Sequence, residues 1–328
     1  MGTFNELIRL IFSSTFLNSV IRVSTPLVLA AMAACVGKQA NVQTVAYEGM
    51  MLFAAFAGTL GTSYTSSLIG GIVAGIVVAV LVALLFGYFN VYLNTDETLL
   101  GLAINIFANY ATIFLLFILI GRKADSSTIP SINYPTVTIP GLDKIPVIGT
   151  IFSNQSLITW IALVSVAVTY FILYKTRLGL RIRSVGRNPE AAASLGINVN
   201  KTRMISLVIS GILAGFAGEF MSMSYISFFT KNMVSGRGYI GIAASNLGLG
   251  NPFASFLYAL MFAVSQVIAN QMQLLQFQYQ FADMLPYIVT IIGLCITGTS
   301  ELRKEKLGGK SKKHKEISTK YRANSKDQ

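Results

Sequence analysis

Charge is scarce in this chain. Only 12% of its 328 residues are Asp, Glu, Lys or Arg, about half of what a soluble domain carries. Acid is the scarcer sign, with 13 Asp and Glu against 25 Lys and Arg. There is one histidine, His314, and it sits in the C-terminal tail, which excludes an intramembrane zinc site built on histidine. The sequence has no HExxH pattern and no Ser/His pair within its apolar runs, which excludes intramembrane proteolysis by those routes. The two cysteines, Cys35 and Cys295, lie in or beside apolar segments and do not form a disulfide framework. A phosphate-binding loop is also missing. Gly309-Lys310-Ser311 looks like the end of one, but Lys304 stands where the earlier glycine must be and no strand precedes it. The chain is therefore expected not to be an enzyme, not to hydrolyse ATP itself and to need no cofactor. A cleavable signal is not evident: Arg9 is the only early basic residue, and the apolar segment holding Arg22 leads into more membrane sequence.

What is present is apolar length. Hydrophobic residues make up 53% of the chain, mean hydropathy is +0.63, and several runs approach or exceed the ~20 residues needed to cross a bilayer. The fold class expected is all-α, a polytopic membrane bundle of about 9–10 segments. Its spans are placed at about 19–36, 45–63, 66–92, 98–120, 157–174, 205–224, a short piece at 238–250, 252–274 and 283–299. Gly71-x-x-x-Gly75 in the third lets helices approach closely. Residues 1–301 form the membrane domain, and 302–328 form a basic tail. The tail's lysines are scattered among Ser, Gly and Asn, with Tyr321 its only aromatic residue, so no nucleic-acid surface is expected.

Seventeen of the 25 basic residues fall in two segments, 175–203 and 302–328. The positive-inside rule makes both cytoplasmic. The loop 121–156, with four prolines and three basic against two acidic residues, lacks that bias and is expected outside. An even number of crossings must separate the two basic segments, and that holds only if 238–250 crosses. Five spans before the basic loop then put the N-terminus outside. A crossing by residues 1–18 would put it inside.

Within the basic loop 175–204, Asn188 is a good N-cap, Pro189 suits the first helical position and Glu190 faces the positive end of the helix dipole. Ala191, Ala192 and Ala193 favour helix, and Gly196 can end it in the left-handed conformation. Arg187 precedes this short helix. Two readings stand side by side: a docking element for a cytoplasmic partner, and a connecting loop whose charges set orientation.

Candidate pathway groups are Glu48, Asn105, Asn109, Asn246, Gln266 and Asn270. Amides offer donors and acceptors together, which suits a sugar or nucleoside better than an ion; interhelical hydrogen bonding is the plainer use for each. Glu48 to Gly61 and Arg237 to Gly250 align without gaps and share five residues, including Gly49/Gly238 and Gly61/Gly250. The two copies lie five segments apart and would run in opposite directions, the pattern of inverted repeats.

Several stretches in order, TPLVLAA (25–31), YEGMMLFAAFAG (47–58), IPGLDKIPVIG (139–149), GRNPEAAASLGINV (186–199), SGILAGFAGEF (210–220), NMVSGRGYIGIAA (232–244) and LPYIV (285–289), carry a resemblance. From about Thr25 to Leu294 the chain resembles the permease subunits of bacterial ABC importers in the ribose, simple-sugar and branched-chain amino-acid group. It is most similar to nucleoside permeases that work with basic-membrane-protein-type lipoproteins. The run 38–46, KQANVQTVA, departs from that pattern, with Thr44 where an Asn is usual. The resemblance implies a cell-membrane importer subunit with ABC ATPase subunits, a second and non-identical permease, and an extracytoplasmic lipoprotein as partners. It also implies that Arg187, Asn188, Pro189, Glu190, Ala192 and Gly196 shape the coupling element. The alternative is an ion-coupled secondary transporter of a small polar solute.

Overall fold

The computed structural model describes residues 14–129, 131–137 and 154–274, and single positions at 284, 288, 289, 291, 293 and 295. Helix α1 spans Ser14–Gln39, α2 Tyr47–Thr65, α3 Leu68–Gly87 with a π-helical turn Tyr88–Tyr92, and α4 Glu97–Ile120. A two-stranded pairing of β1, Thr136–Val137, with β2, Gln155–Ser156, follows. Then come α5 Leu157–Lys175, α6 Arg177–Arg187, α7 Pro189–Ser194, α8 Val199–Phe220 with a π-helical turn Met221–Tyr225, α9 Arg237–Leu247 and α10 Pro252–Leu274. Six of the described helices are long and apolar enough to cross a membrane: α1, α3, α4, α5, α8 and α10. The all-α, multi-pass membrane class holds. The expected segments at 1–18 and 283–299 fall mostly or wholly outside the described residues, as does the tail 302–328.

Local chemistry sets the boundaries. Asp96 Oδ1 accepts from the backbone N–H groups of Thr98 and Leu99 at 2.9 and 2.8 Å and starts α4; Gly121, at φ +78°, ends it. Asn198 Oδ1 accepts from Lys201 N at 2.9 Å and starts α8. The stretch 177–187, read from sequence only as a basic connection, is a helix of its own. Thr176 caps it at Gly179 N, and it buries Gly179, Ile182 and Val185 while exposing Arg177, Leu180, Arg181 and Arg187.

The packing follows the repeat. α1 lies on α9 and α10, α8 lies on α2 and α3, and α1 and α8 cross each other. The first helix of each half thus sits on the second and third helices of the other half. Directions follow from paired contacts. Arg22 reaches the Tyr225 carbonyl at 3.1 Å while Ser210 Oγ reaches the Ala33 carbonyl at 2.8 Å, so α1 and α8 are antiparallel. Gly241 lies on Ala30 and Asn246 meets Lys38, so α9 runs with α1. Gly218 lies on Met51, and Ser222 Oγ donates to the Ala55 carbonyl at 2.8 Å, so α8 runs with α2. Hence α2 and α9, the two copies of the aligned segment, run in opposite directions.

The short piece expected at 238–250 is a helix shorter than a bilayer crossing needs. α9 has 11 residues, or about 16 Å of helix, against ~30 Å of hydrocarbon. It starts deep in the bundle: Gly241 packs on Ala30, midway along α1 between Arg22 and Lys38. The non-helical stretch 226–236 brings the chain in to that depth, where α9 begins. Such backbone is tolerated inside a membrane only when enclosed by protein, and Phe229, Met233 and Val234 are buried.

Close approach depends on small residues. Gly71 and Gly75 on α3 lie against Gly58 and Ala54 of α2, and Ala79 and Ala83 continue that buried stripe. Opposite it, Ile69, Val73, Val77, Leu81 and Leu85 form an exposed apolar stripe at every fourth residue, a surface for lipid or another membrane subunit. A Cβ on Gly241 would stand 2.5 Å from the Ala30 Cβ. Gly241→Leu is therefore expected to destabilise the bundle by about 1–3 kcal/mol, read as a lowered melting temperature in detergent, whereas Val77→Leu on the exposed stripe leaves it unchanged.

Candidate functional site

Glu48 occupies the point where the two half-bundles meet. It lies in the first turn of α2, and its carboxylate also closes the start of α9. Oε1 accepts from Gly236 N at 2.7 Å and Oε2 from Gly238 N at 2.8 Å. One negative charge thus serves two helix N-termini, both of which carry partial positive charge and free N–H groups. The approach needs glycine: a Cβ on Gly238 would meet Glu48 N at 2.7 Å. Arg237 turns away, donating to the carbonyls of Met233 and Val234 and lying 5.8 Å over the Tyr225 ring.

Asn105 on α4 completes this junction. Its Oδ1 accepts from Gly49 N at 2.8 Å, and its amide donates to the Val45 carbonyl at 2.9 Å and to Tyr239 Oη at 2.8 Å. One side chain therefore holds the start of α2, the connector before it and the first turn of α9. Tyr239 is 39% exposed and presents an aromatic ring beside these polar groups. Sequence reading did not single it out, because one tyrosine in an apolar run carries no signal until Asn105 and Glu48 are seen beside it.

The far end of α9 is held by charge of the opposite sign. Lys38 Nζ donates to Asn246 Oδ1 at 3.0 Å and to the Asn246 carbonyl at 3.3 Å; Gln43 Nε2 also reaches Asn246 Oδ1, at 2.9 Å. A cation at the C-terminal carbonyls and a carboxylate at the N-terminal N–H groups both oppose the helix dipole. Thr44, the point of departure in the 38–46 run, has a local role: its Oγ1 accepts from Ala46 N at 2.9 Å, just before α2 begins.

The other candidates lie apart. Gln266 and Asn270 pair with each other on α10 at 3.4 Å, and Asn270 borders a cavity of about 400 Å³ with Arg22 and Tyr225. Asn109, one turn beyond Asn105, has a buried Oδ1 with no hydrogen-bond partner among the described residues. So the structure gathers Glu48, Asn105 and Asn246 around α9, and places Asn109, Gln266 and Asn270 elsewhere.

Glu219 is fully buried on α8 and accepts from Tyr134 Oη at 2.6 Å. Tyr134 comes from the segment 121–137, whose Ser126 and Ala124 also bond Phe229 and Lys231. That segment is therefore pinned to the end of the bundle that holds Arg22 and Tyr225. At the opposite end, Gly186 of α6 lies on the Gln39 carbonyl. Asn188 Oδ1 accepts from Ala191 N at 3.0 Å, Pro189 opens α7, and Gly196 adopts φ +78°. Ala192 is the buried residue of α7, while Arg187, Glu190 and Leu195 are exposed. The short capped helix read from sequence is thus present, on the end of the bundle remote from Tyr134.

A family model described as "Branched-chain amino acid transport system / permease component" matches residues 16–294. The chain is 33% identical over 282 residues to the guanosine ABC transporter permease protein NupQ of Bacillus subtilis, covering 83% of this chain and 88% of that one. It is 32% identical over 284 residues to the nucleoside ABC transporter permease protein NupC of Lactococcus lactis, covering 83% and 89%. A second permease of that organism, the nucleoside ABC transporter permease protein NupB, is 34% identical over 113 residues, covering 34% of this chain and 31% of that one. No solved structure matches.

Glu48→Gln keeps the size of the side chain but leaves one of the two glycine N–H groups facing an amide NH2. With hydrogen bonds to a charged group at stake, the expected cost is about 2 kcal/mol, measured as loss of thermal stability of the purified chain. Glu190→Gln, on an exposed site, should cost far less.

Proposed function

The chain belongs to the branched-chain amino acid transport system / permease component family, and from that premise we propose that it is one permease subunit of an ATP-driven importer of nucleosides. The observation that carries the choice of solute is the charge compensation of α9. A solute bearing a carboxylate calls for a free helix N-terminus. Here that N-terminus is already taken by Glu48, and Lys38 takes the other end. What the junction has left to offer is the hydroxyl and aromatic ring of Tyr239, since the Asn105 amide already bonds Gly49, Val45 and Tyr239. Those groups suit an uncharged solute with a flat base and a polyhydroxyl sugar, since base stacking on an aromatic residue contributes roughly 1–3 kcal/mol. The curated relatives named for guanosine and nucleosides point the same way.

In this reading the end of the bundle with α6 and α7 faces the cytoplasm, in line with its basic residues. Arg187, Asn188, Pro189, Glu190, Ala192 and Gly196 shape the element on which ABC ATPase subunits dock. The segment 121–156 faces outward, toward a substrate-binding lipoprotein. A second, non-identical permease completes the pathway; the occurrence of NupB beside NupC in one organism supports two different chains. Closure of the ATPases moves α7. α6 and α8 transmit that movement to the junction of the two halves, which re-packs between two arrangements.

Two outcomes check this. Uptake by the complete importer should be inhibited by unlabelled nucleosides and not by nucleoside monophosphates or leucine; inhibition by leucine at the same concentrations would reverse the assignment. Tyr239→Ala should lower uptake about tenfold or more, with Tyr239→Phe intermediate. Separately, Gly196→Val places a β-branched residue at positive φ. It should abolish ATP-driven uptake while the permease still reaches the membrane at its normal level.

A further inference from the structure

An opening at the α7 end of the bundle shares Gly196 with the docking element and otherwise lies beside it. It is a groove of about 600 Å³ between α6 and the start of α8, bordered by Arg177, Arg181, Gly196, Asn198 and Lys201, with Leu178, Leu195, Ile197 and Ile205 as its apolar lining. We propose that this groove binds the phosphate of an anionic phospholipid headgroup.

The polar wall is mainly cationic, with Thr202 also bordering it and its hydroxyl donating to the Asn198 carbonyl. Arg177, Arg181 and Lys201 are cationic, and no acidic residue borders the groove. None of the three cations is ion-paired to a described residue, the Arg122–Asp125 pair being at the other end of the bundle. Asn198 Oδ1 is occupied by Lys201 N, which leaves its amide hydrogens without a partner among the described residues. Such a site asks for a ligand made of acceptors with negative charge, and a phosphodiester fits it.

Location selects a lipid over a free anion. Arg177 follows directly on α5, whose Val164, Val168 and Phe171 form an exposed apolar face. α8 enters the bundle from the other side of the groove. The groove thus opens where two membrane helices end, at headgroup depth. α6 itself is amphipathic, with Leu180 62% exposed beside Arg181. A cation over an aromatic ring fastens α6 to α5, with Arg183 lying 4.7 Å from the Tyr174 ring centroid. An amphipathic helix at the interface, with cations beside an apolar side chain, binds anionic lipid by both terms. The inference uses the membrane placement of this end and not the identity of the transported solute.

The test is native mass spectrometry of the full chain in mild detergent with phosphatidylglycerol and phosphatidylcholine supplied together. The wild type should retain phosphatidylglycerol preferentially, and the preference should fall as salt is raised. Each cation near an anionic headgroup contributes roughly fivefold. The Arg177→Gln, Arg181→Gln, Lys201→Gln triple variant should therefore lose bound phosphatidylglycerol tenfold or more, while Arg122→Gln with Lys123→Gln, at the other end, loses none. Arg177→Lys with Arg181→Lys should keep most of the binding, and this pair stays informative if the triple variant fails to fold. Equal retention of both lipids by the wild type, or unchanged phosphatidylglycerol on a folded triple variant, overturns the proposal. Displacement of lipid by inorganic phosphate at millimolar concentration assigns the groove to a free anion and also overturns it. So does a triple variant that keeps its lipid but no longer co-purifies with the ATPase, which would make the groove a protein-docking surface.

Discussion

A single carboxylate, Glu48, stands between the first turns of two helices that run in opposite directions. Away from water an isolated carboxylate is costly, and so is a helix end with free N–H groups. Brought together, each removes the other's penalty. That exchange lets α9 begin at mid-depth rather than at the membrane surface, and it fixes where the non-helical stretch 226–236 must go. Lys38 performs the converse task at the other end of α9. An 11-residue helix, too short to be secure by its own hydrogen bonds, is thereby anchored at both ends by charge as well as by packing on α1 and α10.

Around that junction the two halves exchange their first helices, α1 onto α9 and α10, α8 onto α2 and α3. In a bilayer the lipid tails are as apolar as the side chains, so close contact and hydrogen bonding must hold helices together. The residues are of that kind. Gly218 lies on the Met51 backbone, Gly241 on Ala30, and Gly71 and Gly75 on α2. Ser210 and Tyr47 both donate to the Ala33 carbonyl where α1 and α8 cross. An interface of glycines and short hydroxyl side chains can be re-packed with little change in buried volume, which is what movement between two arrangements requires.

Much of this was legible in the sequence, and the gaps have physical causes. Helix positions followed from apolar length, and the α7 cap from Asn188, Pro189 and Gly196, because these signals are local. The opposite directions of the repeat copies followed from counting crossings, and the structure derives the same result from contacts. Three features were not legible. α6 was read as loop because its polar face is dense in arginine while its buried face is only Gly179, Ile182 and Val185. The short length of α9 was legible, but its start at mid-depth beside Ala30 was not, because that placement is a tertiary fact. The gathering of Glu48, Asn105, Asn246 and Tyr239 rests on bonds between residues up to 208 positions apart, a distance over which spacing carries no signal.

The most direct test of the central claim, that an uncharged solute passes against the junction of α2 and α9, is solute protection of a single thiol there. Ile242→Cys, one turn along α9 from Tyr239 and partly exposed, with Cys295 replaced by Ser and the buried Cys35 retained, would be assembled with its ATPase, second permease and lipoprotein. It would then be labelled with a small thiol reagent. The account predicts that a transported nucleoside slows labelling several-fold, that the corresponding monophosphate does not, and that a thiol placed at Val77 on the exposed stripe is indifferent to both. Labelling at position 242 that is equally fast with and without nucleoside, in an importer that still transports, would contradict it.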